Sequence, residues 1–426
     1  MNPTWVMGFP DGYETGTFLA LDMGGTNLRV CEIELLEEKG EFDIIQSKYR
    51  MPEELKTGTS EELWEYIADC IQQFIEYHHE IENLEIMDKI PLGFTFSFPA
   101  TQTYIDNGVL QRWTKGFDIS GVEGKDVAPL FEAAIEKRKL PIRLSALIND
   151  TTGTLIASAY TDDTMKIGCI FGTGCNAAYM EDCGSVPKIA SYNLPPDMPI
   201  AINCEYGAFD NEHYVLPRTP YDIIIDEDSP RPGQQAFEKM IAGLYLGELF
   251  RLVLVDLHDN KACKVFPGQD ITKLRKAYTL DSSFLSAIEL DPFENLSETE
   301  DHFHRELGIT TTKPERELIR RLAELIGTRA ARLSACGVAA ICTKKNITTC
   351  HVGADGSVFN KYPHFKARGA VALREILDWE DGVPDPISIL AAEDGSGVGA
   401  ALIAALTIKR VKAGNLAGIR NVEGMV

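Results

Sequence analysis

The chain has 426 residues, 44% hydrophobic and 25% charged, with a formal charge of −23. Its length exceeds one compact core and points to about two domains, and its apolar and charged shares are those of an ordinary globular protein. So acidic a chain is excluded as a standing partner of nucleic acid or of an anionic membrane, and an anionic ligand must be met by local backbone donors and a metal. The ten cysteines form no CxxC pair and no Cys/His cluster at zinc spacing, and read as reduced core residues of a cytoplasmic protein. No signal peptide opens the chain, and no apolar run approaches the roughly 18 residues of a membrane span.

Residues 1–15 read as a connector that carries Trp5 and Phe9 into the first strand. Residues 19–30, LALDMGGTNLRV, are an apolar run that ends in Asp22 and turns at Gly24 and Gly25 with Thr26 and Asn27, before alternation resumes through Val30, Ile33 and Leu35. Adjacent glycines allow positive φ and remove the Cβ atoms that keep an anion from backbone N–H groups. An acid at the end of the preceding strand suits Mg²⁺, which prefers oxygen ligands and keeps part of its hydration shell. The stretch reads as a cradle for a metal-bound polyphosphate; from DxGG alone it reads equally as a plain hairpin turn. Residues 29–35 and 42–48 alternate as half-buried antiparallel strands do. Thr59 with Glu62 makes a capping box for a helix whose apolar face is Leu63, Ile67, Ile71, Phe74 and Ile75. His78 and His79, near its end, are expected to be solvated or to complement the helix dipole.

Residues 92–98, LGFTFSF, read as a strand ending at Ser97 and Pro99, and an irregular stretch follows with Gln111, Arg112, Trp113, Thr114 and Lys115. Such a loop lines a pocket or is a structural loop anchored by Trp113. Residues 126–138 read as a helix stopped by Pro141. The opening logic then repeats from Arg143: RLSALI is a strand, NDTTGTLIASAY runs into a helix, and IGCIFGTGCNAAYM is strand, glycine turn and strand. Two such halves facing each other would set two phosphate loops on opposite walls of a cleft.

Residues 197–235 are rich in proline and acid, and residues 237–257 read as one long helix. Residues 290–307 are acidic and polar, most simply a solvated surface segment. Residues 314–344 are helical, residues 351–359 (HVGADGSVF) are a strand ending in a glycine turn, and EDGSGVGAA at 393–401 opens a helix to about Lys412, stopped by Gly414.

GTGCNA at 172–177 matches the dinucleotide fingerprint, but a strand follows it instead of a helix, and no GxxxxGK[ST] is present. What remains is a nucleotide site built from separated turns: DMGGT and GTG at the phosphates, GADGS and DGSGVG at the nucleoside end, with a helix N-terminus after Gly399 adding its dipole. The catalytic candidate is Asp150, although an Asp before a helix is more often an N-cap than a base. Its company supports a base: Ser97, Lys115, Asn149, Asn176, Glu205 and Glu238 lie at strand ends or in motif loops, and offer the paired donors and acceptors that suit a sugar in a cleft closed by two domains.

LDMGGTNLRV, FTFSFPA, LQRWTKGF, NDTTGTL, FGTGCN, INCEYGAFDNEH, SPRPGQQAFEKM and AEDGSG, in order along nearly the whole chain, resemble the motifs of the hexokinase family, most of all its fungal members. The resemblance implies an α/β actin-like ATPase (ribonuclease H-like) fold with small and large domains around a central cleft. Its implied limits are 1–14 with the large domain, 15–148 small, 149–404 large, and 405–426 a helix returning to the small domain. Carried over by motif, the sugar contacts fall on Ser97, Thr114, Lys115, Asn149, Asp150, Asn176, Glu205 and Glu238. The ATP contacts fall on Asp22, Met23, Gly24, Gly25, Thr26, Asn27, Thr173, Gly353, Asp355, Gly356, Ser357, Gly395, Ser396 and Gly397. Lys48, Gly243 and the Asp281 to Ser283 segment match further nucleotide-side positions. Family members usually carry a helical extension ahead of the segment containing Trp5; this chain starts without it, which makes Met1 a candidate internal methionine of a longer product.

The expected activity is ATP-dependent phosphorylation of glucose and related hexoses at the 6-hydroxyl, the first step of glycolysis, with Asp150 as general base and Mg²⁺ held by Asp22 through water. Thr26 and Thr173 lie around the phosphates, and Lys115 donates to the sugar. The expected partners are ATP and hexose, with no nucleic acid and no membrane, and the protein is expected to be a cytoplasmic monomer or weak homodimer. The alternative from another class is a non-catalytic sugar sensor on the same fold, which a lost Asp150, Lys115 or glycine turn would favour; none is lost.

Overall fold

The computed structural model describes residues 1–25, 27–79, 89–114, 116–260, 264–380, 382–392 and 394–422. In chain order, β1 (Asn2–Pro3), β2 (Gly16–Met23), β3 (Asn27–Leu35) and β4 (Phe42–Arg50) precede α1 (Ser60–His79). Next come β5 (Ile90–Phe96), β6 (Ala100–Thr101), β7 (Val109–Leu110), α2 (Val127–Lys137), β8 (Ile142–Ile148), α3 (Asp150–Thr161), β9 (Met165–Phe171) and β10 (Cys175–Asp182). The chain continues with β11 (Pro199–Asn203), α4 (Pro220–Glu227), α5 (Ala236–Ile241), α6 (Gly243–Asp259), α7 (Thr272–Arg275), α8 (Ser282–Leu290) and α9 (Ser297–His302). It closes with α10 (Lys313–Lys345), β12 (Cys350–Asp355), α11 (Ser357–Lys361), α12 (Phe365–Ile376), β13 (Ile387–Ala391) and α13 (Val398–Lys412). Two compact units divide these elements: Met1–Gly168 with Ala178–Cys204 and Ala392–Val426, and Cys169–Ala177 with Glu205–Ala391.

The first unit is built on a five-stranded sheet of order β4-β3-β2-β5-β8. β2, β3 and β4 are an antiparallel meander, while β2, β5 and β8 run parallel. Alternation decides which face each residue takes. Leu19, Leu21, Leu28, Val30, Leu92 and Phe94 form one buried cluster with Leu63, Ile67, Ile71 and Phe74 of α1 and Phe131 of α2. The capping box that starts α1 is formed: Glu62 Oε2 accepts from the Thr59 amide at 2.8 Å, and the Glu62 amide donates to Thr59 Oγ1 at 3.3 Å. His78 and His79 are tied to the sheet instead of being solvated, at 3.3 Å to Ser47 Oγ and 2.7 Å to Glu32 Oε2.

The opposite face is covered by α13, which lies almost backbone to backbone on its neighbours. A Cβ added to Gly93 would sit 2.2 Å from the Ala400 carbonyl oxygen, and one on Gly399 would sit 2.3 Å from that of Gly153. Gly153 in turn meets the Gly395 carbonyl, 2.2 Å from where its Cβ would be. α13 starts at Val398, two residues before the start after Gly399 read from sequence, and Gly414 beyond it takes a φ of 76° as a helix stop does.

In the second unit, β12 and β13 pair in parallel. The helix expected over 237–257 is two, α5 and α6, because Ala242 is extended (φ −78°, ψ 146°) and the Gly243 amide donates to Gly172 O at 2.8 Å instead of continuing the helix. Residues 290–307 lie largely at the surface but are not wholly solvated. Phe303 and Asp291 are buried, Asp291 Oδ2 accepts from the Thr299 amide at 2.7 Å, and residues 303–307 make a π-helical turn. Acidic composition hid one buried phenylalanine and one buried acceptor. Ser357–Lys361 is helical, so the strand read over 351–359 stops at Asp355. α10 is long and apolar enough to cross a membrane by length and composition alone, with a mean hydropathy of 1.3 over its most apolar window. It carries Arg329, paired to the buried Asp222 at 2.8 Å, and buries Ile319, Ala323, Ala330 and Val338, as a core helix does. Every described cysteine except Cys336 is buried.

Gly399→Ala should lower the unfolding free energy by about 1–3 kcal/mol, the usual cost of overpacking, read from a urea midpoint at unchanged m-value. Gly369→Ala in α12, where an added Cβ meets nothing within 4 Å, should instead stabilise by about 0.5–1 kcal/mol through helix propensity and unfolded-state entropy.

Candidate functional site

In the first unit, register brings the motif residues to one edge. Asp22 of β2 pairs with Thr95 of β5, and Thr95 with Ile148 of β8. Two residues beyond that row come Gly24, Ser97 and Asp150, so the DMGG turn, the end of FTFSF and the start of NDTTG all stand at the carboxyl ends of parallel strands, where open α/β sheets bind ligands.

Asn149 is the N-cap of α3, and its side chain accepts from the Thr151 amide at 2.9 Å. Asp150 is therefore the first helical residue and not the cap. Its Oδ1 accepts from the Thr151 amide at 2.7 Å and from Thr151 Oγ1 at 3.1 Å, and Oδ2 makes no hydrogen bond among the described residues. Ser97, Asn149 and Asp150 are all half-buried. Trp113 is the anchor of its loop: its amide donates to Glu123 Oε1 at 2.6 Å, its indole N–H donates to Ile119 O at 2.9 Å, and its ring stacks on Phe117. Thr114 follows it, half-buried, and its carbonyl accepts from the Phe117 amide at 3.1 Å. Lys115 and Thr26 lie outside the described residues.

The DMGG turn closes through the Gly24 amide, which donates to Asn27 O at 3.1 Å. Gly24 does not use the left-handed region. Asp22 faces Arg29 across the β2–β3 ladder, and Lys48 lies opposite Arg29 on the exposed edge strand β4. Arg29 is bound through both terminal nitrogens by Asp394 and stands 3.4 Å from Asp22 Oδ2. Burial pushes the Cys31 thiol up to about 12 against the opposing charge of Arg29, which makes it inert packing beside that cluster. Ser396 O accepts from Thr95 Oγ1 at 2.8 Å, and Asp394 Oδ1 accepts from the Gly397 amide at 3.0 Å. The DGSG loop thus sits against the strand-end edge of the DMGG turn.

In the second unit, the GTG turn is the meeting point. Thr173 is its exposed tip, and the Gly172 amide donates to Gly174 O at 2.9 Å. Gly356 has φ 112°, and a Cβ there would lie 2.5 Å from Phe171 O; the GADGS turn is thereby pressed onto the GTG turn. Asp355 Oδ1 accepts from the Gly356 amide at 2.6 Å and from Asn360 Nδ2 at 2.8 Å. A Cβ on Gly243, at the start of α6, would meet Val358 at 2.8 Å and Ser282 Oγ, at the start of α8, at 3.4 Å. Two helix N-termini and a glycine turn come together here, with the Gly243 amide donating to Gly172 O and the Gly356 amide to Asp355. Asp281 caps α8, accepting from the Ser283 and Phe284 amides. Gly353 lies within β12, buried, short of the turn.

Beside this turn lie the three polar residues expected to meet sugar. Asn176 is 8% exposed, and its Oδ1 accepts from the Glu205 amide at 2.9 Å and the Ala177 amide at 2.8 Å. Its Nδ2 reaches Glu205 Oε1 at 3.4 Å, and Glu205 is held at φ 50°. Glu238 Oε2 accepts from the Cys175 amide at 2.9 Å; a Cβ on Gly174 would sit 2.7 Å from that oxygen. Burial first, then the charges of Glu238 and Glu205, hold the Cys175 thiol well above its ordinary value.

Arg29, Thr95 and Asp394 were not among the sequence-predicted site residues. Arg29 was legible as a cation between the inward-facing Leu28 and Val30, which puts it on the other face; nothing in the sequence tied it to Asp394. No group of three or more His, Cys, Asp or Glu side chains placed to hold a metal occurs among the described residues. A lone strand-end carboxylate such as Asp22, 22% exposed, suits Mg²⁺, which keeps several waters and takes only one or two protein carboxylates.

Two family models, both described as hexokinase, match residues 1–160 and 166–406. A hexokinase of Emericella nidulans is 74% identical over 426 residues, which is 100% of this chain and 86% of the relative. Hexokinase-1 of Saccharomyces cerevisiae is 55% identical over 424 residues, 98% of this chain and 86% of the relative. Among solved structures, the hexokinase from Schistosoma mansoni complexed with glucose is 35% identical with a TM-score of 0.82, covering 95% of this chain and 88% of that one. The ROK hexokinase from Thermus thermophilus, 16% identical with a TM-score of 0.51 over 92% of this chain and 99% of that one, is similar in fold alone.

Asn176→Ala leaves the Glu205 and Ala177 amides without their shared acceptor. The expected loss of stability is about 1–3 kcal/mol, the penalty for buried unsatisfied donors, measured by chemical denaturation, with crystallography showing Glu205 moved.

Proposed function

The chain belongs to the hexokinase family and has the actin-like ATPase fold, and from that premise we propose that this sugar kinase transfers the γ-phosphate of ATP to the 6-hydroxyl of glucose, mannose and fructose as the first step of glycolysis. The proposed base is Asp150. It takes the proton of the attacking hydroxyl while the new O–P bond forms in line and the bond from the γ-phosphorus to the bridging oxygen breaks, releasing ADP. The observation that carries this reading is that Asn149, and not Asp150, caps α3, which leaves Asp150 Oδ2 outside the capping hydrogen bonds.

Ser97, Thr114, Lys115, Asn149, Asn176, Glu205 and Glu238 are proposed to bind the sugar hydroxyls. Asn176 and Glu238 are pinned by backbone amides, so their remaining polar atoms are oriented before sugar arrives, which lowers the entropic cost of binding. Asp22, Met23, Gly24, Gly25, Thr26, Asn27, Lys48, Thr173, Gly243, Gly353, Asp355, Gly356, Ser357, Gly395, Ser396 and Gly397 are proposed for the nucleotide. Phosphoryl transfer asks the protein chiefly for positioning and charge stabilisation, and glycine turns with helix N-termini supply both. Asp22 would hold Mg²⁺ through water, and the ion when bound neutralises charge on the phosphate oxygens. The protein is proposed to act in the cytoplasm as a monomer or weak homodimer.

Asp150→Ala should still bind glucose in calorimetry, while kcat in a coupled assay with ATP and Mg²⁺ falls by about 10² to 10⁴, the contribution typical of a positioned base. A kcat near that of the unaltered enzyme ends the assignment.

A further inference from the structure

Asp394 holds no role in the sugar or nucleotide assignments above, yet it gathers the polar contacts of the strand-end edge. Both its oxygens bind the Arg29 guanidinium, with Arg29 Nη2 donating to Oδ1 at 2.6 Å, and Oδ1 also accepts from the Gly397 amide at 3.0 Å. The same guanidinium makes one longer contact, Nη2 donating to Asp22 Oδ2 at 3.4 Å. One cation therefore stands between two carboxylates and is committed bidentately to one of them. Burial works against the charge on Arg29, but the hydrogen bond and charge of Asp394 outweigh it and raise the guanidinium above its ordinary value.

Resting on the assignment of Asp22 to the metal-bound nucleotide, we propose that Asp394 is a positioning residue that keeps Arg29 from closing onto Asp22 and so preserves the negative charge Asp22 turns toward the water shell of Mg²⁺. A planar guanidinium is complementary to any carboxylate within reach. Without Asp394, the nearest carboxylate to Arg29 is Asp22, across the β2–β3 ladder. A fork-to-fork pair there would cover the oxygens and cancel the charge that a hard, hydrated cation needs. Changing the partner that orients a metal-binding carboxylate typically costs about 10- to 100-fold in metal affinity.

The test is the Mg²⁺ concentration that half-saturates ADP binding to the full chain, read by calorimetry beside the thermal midpoint. Asp394→Asn should raise that concentration about 10- to 100-fold and leave glucose affinity unchanged. The double variant Arg29→Met/Asp394→Asn should return it toward the starting value, because no guanidinium remains to close on Asp22. Thr95→Val cuts the other tether of the loop, the 2.8 Å bond to Ser396 O, and should leave the Mg²⁺ requirement where it was. An unchanged requirement in Asp394→Asn, a double variant no better than the single one, or an equal shift in Thr95→Val would each overturn the proposal. Should Asp394→Asn not fold, Asp394→Ser, which keeps an acceptor for the Gly397 amide and removes the charge, is read the same way. Asp22→Asn separates the two levels. No shift there removes the metal assignment itself, whereas a shift there with none in Asp394→Asn removes only the role of Asp394.

Discussion

The first unit depends on how closely one helix can approach a backbone. α13 lies on α3 and β5 with hydrogen atoms where side chains would be, at Gly93, Gly153, Gly395 and Gly399. Close packing of this kind makes position insensitive to side-chain rotamers, because carbonyl and Cα atoms bear directly on each other. Its result is that the loop before α13 is carried to within hydrogen-bond reach of Thr95 and of Arg29. A single methyl group at Gly399 would lift the helix, and with it the loop, off the strand-end edge.

The second unit reaches precision by another route. Its polar residues are fixed by main-chain donors: Glu238 by the Cys175 amide, and Asn176 by the amides of Ala177 and Glu205. Backbone donors in a folded turn do not reorient, so side chains that accept from them are held more firmly than by another mobile side chain. Gly356 at φ 112° and Gly243 press two further segments onto the same GTG turn. The glycines of the motif serve approach before they serve any ligand.

What the sequence disclosed follows from the range of the forces involved. Local periodicity and caps were readable: the apolar face of α1 with its Thr59–Glu62 box and the alternation of β3; the cap of α3 was read one residue late, at Asp150 instead of Asn149, and the strand at β4 was found but lies exposed on the sheet edge. Breaks imposed by tertiary contact were not. Nothing local to residues 237–257 announces that Gly243 donates to Gly172 and splits the helix, and nothing in an acidic stretch announces that Phe303 is buried. Ion pairs distant in sequence are the least legible: Arg29 and Asp394 each lie in a motif stretch, and nothing in either stretch announces the other. The glycine turns were legible as turns, but the close approach of the GADGS turn to the GTG turn at Gly356 was not, because such packing leaves no periodicity.

A formal charge of −23 would seem ill suited to an anionic nucleotide, but the range of the field resolves this. At physiological ionic strength charges are screened within about 8 Å, so the many carboxylates spread over the surface contribute little where phosphate would sit. For a nucleotide bound as proposed, what counts is the set of donors within that radius, and backbone amides at turns and helix starts carry dipoles fixed by the fold. Arg29, the cation beside Asp22, is already engaged by Asp394, so on the proposed assignment Lys48, the main chain and a hydrated metal would meet the negative charge. An acidic surface and an anion site are compatible because the donors belong to the backbone.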